Sequence, residues 1–148
     1  MFAKVPVLIL LFFTINWYAQ TSPVKPAEQI QEDELKKHIS AAETYQISGD
    51  LENARHENRA IVAIGLQRFG NLSIEEGKFQ DAVRMLSESK SYNDNTRVRV
   101  DLAVALLRVN ELEKALEEAR AAVEIDPNNA YARYILGNIY YTKEDYAA

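Results

Sequence analysis

The chain has 148 residues, no cysteine and a formal net charge of −5. That length suits one domain with a modest core, and 47% hydrophobic against 26% charged residues reads as globular, not disordered. The lack of cysteine excludes disulfides, thiolate metal sites and cysteine nucleophiles, and without a basic stripe nucleic acid is a poor partner.

Residues 1–19 have the three-part layout of a secretory signal peptide. Lys4 gives the positive start, Val5 to Ile15 is apolar apart from Pro6 and Thr14, and Ala19 is a small residue before the cut. The apolar run from Val5 to Ile15 is short for a bilayer span. Trp17 is bulky for a cleavage region, so the alternative is an uncleaved anchor over residues 5–19 with Trp17 and Tyr18 at the interface. Both predict an exported chain, periplasmic or secreted, touching the membrane only through this segment if it stays uncleaved. Residues 20–26 carry two prolines and read as a linker.

Residues 27–148 read as helical throughout. Ala27 to Ser48 is a helix with Ile30, Leu35, Ile39, Ala42, Tyr45 and Gln46 on or beside its inner face. Gly49-Asp50 is a turn, and Leu51 opens a second helix whose end no turn cluster marks. Phe79 to Lys90 is a cleaner helix, and Tyr92 to Asn95 a polar turn. Val98, Leu102, Ala105, Leu106 and Val109 share one face of the next helix, which Asn110-Glu111 breaks. Leu112, Ala115, Leu116, Ala119, Ala122 and Val123 mark the following one. Pro127 ends it, since proline cannot continue the ladder, and the pattern restarts at Ala130.

A repeat runs through these elements. Leu102 and Leu136 stand one period apart, as do Leu112 and Tyr146, and that period is the one of a helix-turn-helix solenoid, roughly 34 residues. Turns at Gly49-Asp50, Gly77-Lys78, Asn110-Glu111 and Glu144-Asp145 precede Leu51, Phe79, Leu112 and Tyr146. Ala54, Ala82 and Ala115 follow three residues later, and the first helices share a small position at Ala42, Gly70, Ala103 and Gly137. Small residues there let helices pack closely. The interval from Leu51 to Phe79 falls short of the period by more than one helical turn. The shortfall predicts either a tight junction or one long bent helix from Leu51 to Glu76 with Gly65 as its weak point.

On these columns the chain resembles the tetratricopeptide repeat family. The resemblance implies an all-α, right-handed solenoid of antiparallel helix pairs, about three and a half repeats. The units lie near 35–62, 63–95, 96–129 and 130–148, the last cut short. It also implies a scaffold that binds a protein or extended peptide on its concave face. There Arg97, Val100, Val104, Leu107 and Arg108 would line one unit, and Tyr131, Tyr134, Asn138 and Tyr141 the next. Asn71 and Asn138 fit the asparagine column of the family's chaperone-tail clamp, but Gln67 and Tyr134 stand where that clamp has a basic residue. The alternatives are that the tyrosines pack against a continuation of the chain, and that the chain is the N-terminal arm of a longer protein with its activity further on. Tyr140 and Tyr146 match packing positions.

Nothing in the sequence points to catalysis, a cofactor or a metal. His38 and His56 lie on separate predicted helices without ligand spacing. Adjacent helix residues point about 100° apart, so Glu75-Glu76 and Glu117-Glu118 do not converge on one atom and read as solvated faces. The chain is read as no enzyme.

Overall fold

The computed structural model describes residues 26–147, with side chains from 29 to 143. The expected leader, the expected linker up to Lys25 and the side chain of Tyr146 lie outside the described residues. Six helices make up the described chain: α1 Pro26–Ser48, α2 Leu51–Glu75, α3 Phe79–Tyr92, α4 Thr96–Arg108, α5 Leu112–Ile125 and α6 Ala130–Ala147. Pro26, placed in the expected linker, opens α1, where a missing N–H costs nothing. No strand occurs among the described residues, and no helix there is long and apolar enough to cross a membrane. Residues 1–34 and 35–148 form separate compact units; everything below concerns the second.

Three turns inside the helix pairs share one geometry. Gly49, Gly77 and Asn110 take positive φ of 78°, 74° and 63°, which glycine tolerates freely and asparagine better than most residues. The next amide then reaches back to a carbonyl five residues before: Asp50 to Tyr45 at 2.9 Å, Lys78 to Ser73 at 2.8 Å and Glu111 to Leu106 at 2.9 Å. This closes the end of each first helix and reverses the chain. The expected fourth turn does not form. Glu144 stands in the column of the left-handed residue, a conformation strained for most residues other than glycine and asparagine, and α6 continues through Glu144-Asp145 to Ala147.

The turns between units use asparagine caps. Asn95 Oδ1 accepts from Val98 N at 3.1 Å, and Asn129 Oδ1 accepts from Ala132 N at 3.0 Å, satisfying first-turn amides. Val62 holds the equivalent place one unit before Asn95 and cannot cap. Without a cap or a proline nothing breaks the chain there, so α2 is one helix of 25 residues. The boundary drawn between residues 62 and 63 falls inside it. Of the two outcomes expected for the short interval, the structure has the long helix.

The core follows the repeat columns. Ala54, Ala82 and Ala115 are buried, as are Ala42, Gly70 and Ala103. Leu86, Val98, Leu102, Leu106, Leu116 and Ile139 fill the space between α3, α4, α5 and α6. Gly137 departs from its column: it is exposed, with nothing within 4 Å of where a Cβ would stand. Ile39 and Gln46, expected on the inner face of α1, are exposed, while Ala42 and Tyr45 turn inward. His38 Nδ1 lies 2.6 Å from Glu57 Oε2, tying α1 to α2.

Two further expectations are corrected. Glu118 is buried, not solvated: α5 turns it toward Arg99 Nη1 at 2.7 Å and into a short contact with Lys90 Nζ. Arg99 also clasps Asp94 through two bonds of 2.6 and 2.5 Å. Burial without those cations would be costly, so the four charges act as one cluster. Tyr140 is exposed, not core. Its hydroxyl accepts from Arg120 Nε and Nη2 at 2.9 and 2.7 Å, an arrangement that needs the ring to stand beside α5 instead of beneath it.

Candidate binding surface

The first helices of successive units, the C-terminal half of α2, then α4, then α6, lie side by side, and α4 contacts both neighbours. Their common face is organised by Asp101. Gln67 Nε2 donates to Asp101 Oδ2 at 2.6 Å, and Asn71 Nδ2 donates to the same oxygen at 3.1 Å. Burial pushes the Asp101 carboxyl above its ordinary range, while the two amides and the charge of Arg97 pull it partway back. On the α6 side, burial and then the charge of Asp101 raise the Tyr131 phenol. It remains a neutral hydroxyl at physiological pH.

The tyrosines give this face its area. Tyr131, Tyr134 and Tyr141 are all more than half exposed. The rings of Tyr131 and Tyr134 stack, with centroids 6.3 Å apart and planes 18° from parallel. Their three-residue spacing places them one turn apart on one side of the helix. Stacked rings restrict each other, so less freedom is left to lose on contact with a ligand.

The other expected positions divide. Arg97 is exposed, beside Asp101. Val104 and Leu107 are half-buried against the core, and Asn138 is half-buried, its carbonyl accepting from Thr142 Oγ1 at 2.8 Å. Arg108 lies over the Phe79 ring at 4.3 Å, a cation–π contact that points it toward the start of α3. Val100 does not line the surface: at 3% exposure it belongs to the core. It shares a column with Gln67, which is buried as well at 5%, and with Tyr134, whose longer side chain alone reaches past its neighbours. Asp101 went unread in the sequence. Its signal was a carboxylate between Val100 and Leu102 in an apolar helix, about one repeat on from Gln67.

This face carries amides, one carboxylate, one guanidinium and phenols, with no nucleophile held by a base. No group of three or more His, Cys, Asp or Glu able to hold a metal occurs among the described residues. No curated protein matches the chain. The family description "Tetratricopeptide repeat" matches residues 73–139, from the end of α2 into α6. Such repeats generally mediate protein–protein interaction and scaffolding. Helix pairs, positive-φ turns, alanine columns and that match agree: residues 73–139 are similar to the tetratricopeptide repeat family.

Proposed function

We propose that this protein is an exported scaffold that holds an extended peptide segment of a partner protein against the face of α2, α4 and α6. The carrying observation is the stacked, exposed pair Tyr131 and Tyr134 beside the anchored carboxylate of Asp101. Exposed clustered aromatics with polar tips suit a binding site: they bring large contact area at low entropic cost. Val104 and Leu107 add apolar floor, and Arg97 offers a charge for an acidic group in the peptide. The layout of residues 1–19 supports export, to the periplasm or beyond the cell.

A second reading has its own observation. Gly70, in the second unit, is packed by Leu86 of the following helix, whereas Gly137 in the same column meets nothing. On this reading the α6 tyrosines pack against a second helix completing the fourth unit, and the chain serves as the arm of a longer assembly. Selection of peptides from a displayed random library on the immobilised protein separates the two. Peptides rich in apolar and aromatic residues, lost on triple alanine replacement of Tyr131, Tyr134 and Tyr141 at unchanged helicity, support the scaffold. Peptides retained by that variant move the binding site elsewhere and leave the packing reading.

A further inference from the structure

A second apolar surface lies on α2, away from the tyrosines. Val62, Phe69 and Leu72 are 43%, 64% and 48% exposed. In the next units the columns of Phe69 and Leu72 hold Leu102 and Ala105, both buried, and Ile139 in the Leu72 column is buried too. There the second helix of the preceding unit covers them: α3 packs on α4, and α5 on α6. For α2 the preceding second helix is its own N-terminal half. A continuous helix cannot fold back on itself, so fusing two helices into one strips this face of its natural cover.

We infer that a second copy of this chain covers it, the two α2 helices pairing antiparallel about a two-fold axis near Gln67. Asn58, Val62, Gly65, Phe69, Leu72 and Glu76 follow each other at alternating intervals of four and three, the spacing of a helix–helix seam. Opposed antiparallel, the seam fits itself. Phe69 of one copy falls on Gly65 of the other, where nothing lies within 4 Å of a would-be Cβ. Val62 falls on Leu72, and Asn58 on Glu76. A large residue meets a small one at the centre, and each contact recurs by symmetry, as a two-fold interface requires. Charge agrees. Arg55, mostly exposed and held only loosely by Glu52 at 3.6 Å, comes within a turn of the other copy's Glu76, which its own Lys78 also holds at 2.7 Å. The antiparallel dipoles of the two helices also oppose favourably.

The cysteine-free sequence makes the register directly testable. Two versions of the full chain, one Val62→Cys and one Leu72→Cys, are mixed and treated with a short thiol cross-linker. The register predicts a cross-linked pair in the mixture and little in either alone, because each position lies about 15 Å along the axis from its own copy. Sedimentation of the wild-type chain is expected to give twice the monomer mass, and Phe69→Ser to give monomer at unchanged helicity. Gly65→Ala is expected to raise the melting temperature of monomer yet weaken pairing about tenfold, since the methyl fills the seat of Phe69. A monomer at every concentration overturns the inference and leaves the face to residues 1–25 or to another protein. Self-linking by Val62→Cys alone overturns the antiparallel register.

Discussion

Gly70 and Leu86 touch in a way that admits no side chain at residue 70: a Cβ there would stand 2.5 Å from Leu86 Cγ and 2.8 Å from its Cδ2. Leu86 is fully buried and has nowhere to retreat. This contact sets how closely α2 and α3 approach within the second unit, and the face of α2 that carries Gln67 and Asn71 is positioned by it.

Gly70→Ala is therefore expected to destabilise the protein by up to about 2 kcal/mol. The helix gains about 1 kcal/mol in propensity, but overpacking a tight core costs about 1–3 kcal/mol. Gly65→Ala, in the same helix, meets open space and keeps the propensity gain. Urea unfolding of both variants, monitored by circular dichroism at a concentration low enough to hold the chain as monomer, checks the opposite signs. Equal effects at the two glycines would refute the packing argument.

Asp101 predicts an unusual pH dependence. Its folded carboxyl is raised above the ordinary 3.8, chiefly by burial. Between 3.8 and the raised value the folded chain binds the proton more tightly than the unfolded one. The ionised form thus costs stability at every pH above that window, and the cost disappears as pH falls through it. Both Gln67 and Asn71 donate to a single oxygen of Asp101, which an asparagine carbonyl can replace. Asp101→Asn should then be the more stable protein at pH 7, with its advantage shrinking to nothing below pH 3.8. Paired unfolding curves from about pH 3 to neutrality measure the difference, and a constant or growing gap at low pH would contradict it.

The helix pairs were legible because their cause is local. Glycine or asparagine at a positive-φ turn, alanine three residues into the next helix and the repeat period itself are written in the residues that need them. Even the fusion of α2 has a local cause in Val62, where Asn95 and Asn129 cap the later units. What was not legible depends on partners distant in the chain. Glu118 resembles Glu117 until α3 and α4 bring Lys90 and Arg99 against it. Val100 resembles Tyr134 in column but not in reach. Tyr140 follows a packing column, yet Arg120 holds its hydroxyl outside. At the candidate surface the tyrosines could be picked out by spacing, whereas Asp101 and its two amides required α2 and α4 to be placed side by side.

Glu118→Ala should cost about 2–3 kcal/mol, somewhat below the range for a fully buried pair. Breaking a buried ion pair costs about 3–5 kcal/mol because it leaves an uncompensated charge. Here the loss is smaller, since the Lys90 and Arg99 side chains keep 27% and 18% exposure and Arg99 retains Asp94. Salt screens exposed pairs much more than buried ones. The loss should therefore persist in roughly half-molar salt, where that of Arg84→Ala, which breaks the surface pair with Asp81, should vanish. A loss for Glu118→Ala that disappears with salt would mean that the cluster is a surface feature.

The stacked tyrosines predict coupling, not only affinity. If Tyr131 and Tyr134 bind a peptide as a pair, truncating either should weaken binding by about 1–2 kcal/mol, the size of an interface anchor. The rings are 6.3 Å apart and nearly parallel, so removing one also frees the other to move. The double alanine variant should lose less than the sum of the singles, by about 0.5 kcal/mol or more, as contacting residues do. Glu117→Ala, on the exposed side of α5, is the control and should change little. Calorimetric titration of the four proteins of the cycle with a selected peptide gives the coupling energy. Strict additivity would show that the stack does not preorganise the site. No loss in any variant would remove the tyrosines from the binding surface and return them to packing against another helix.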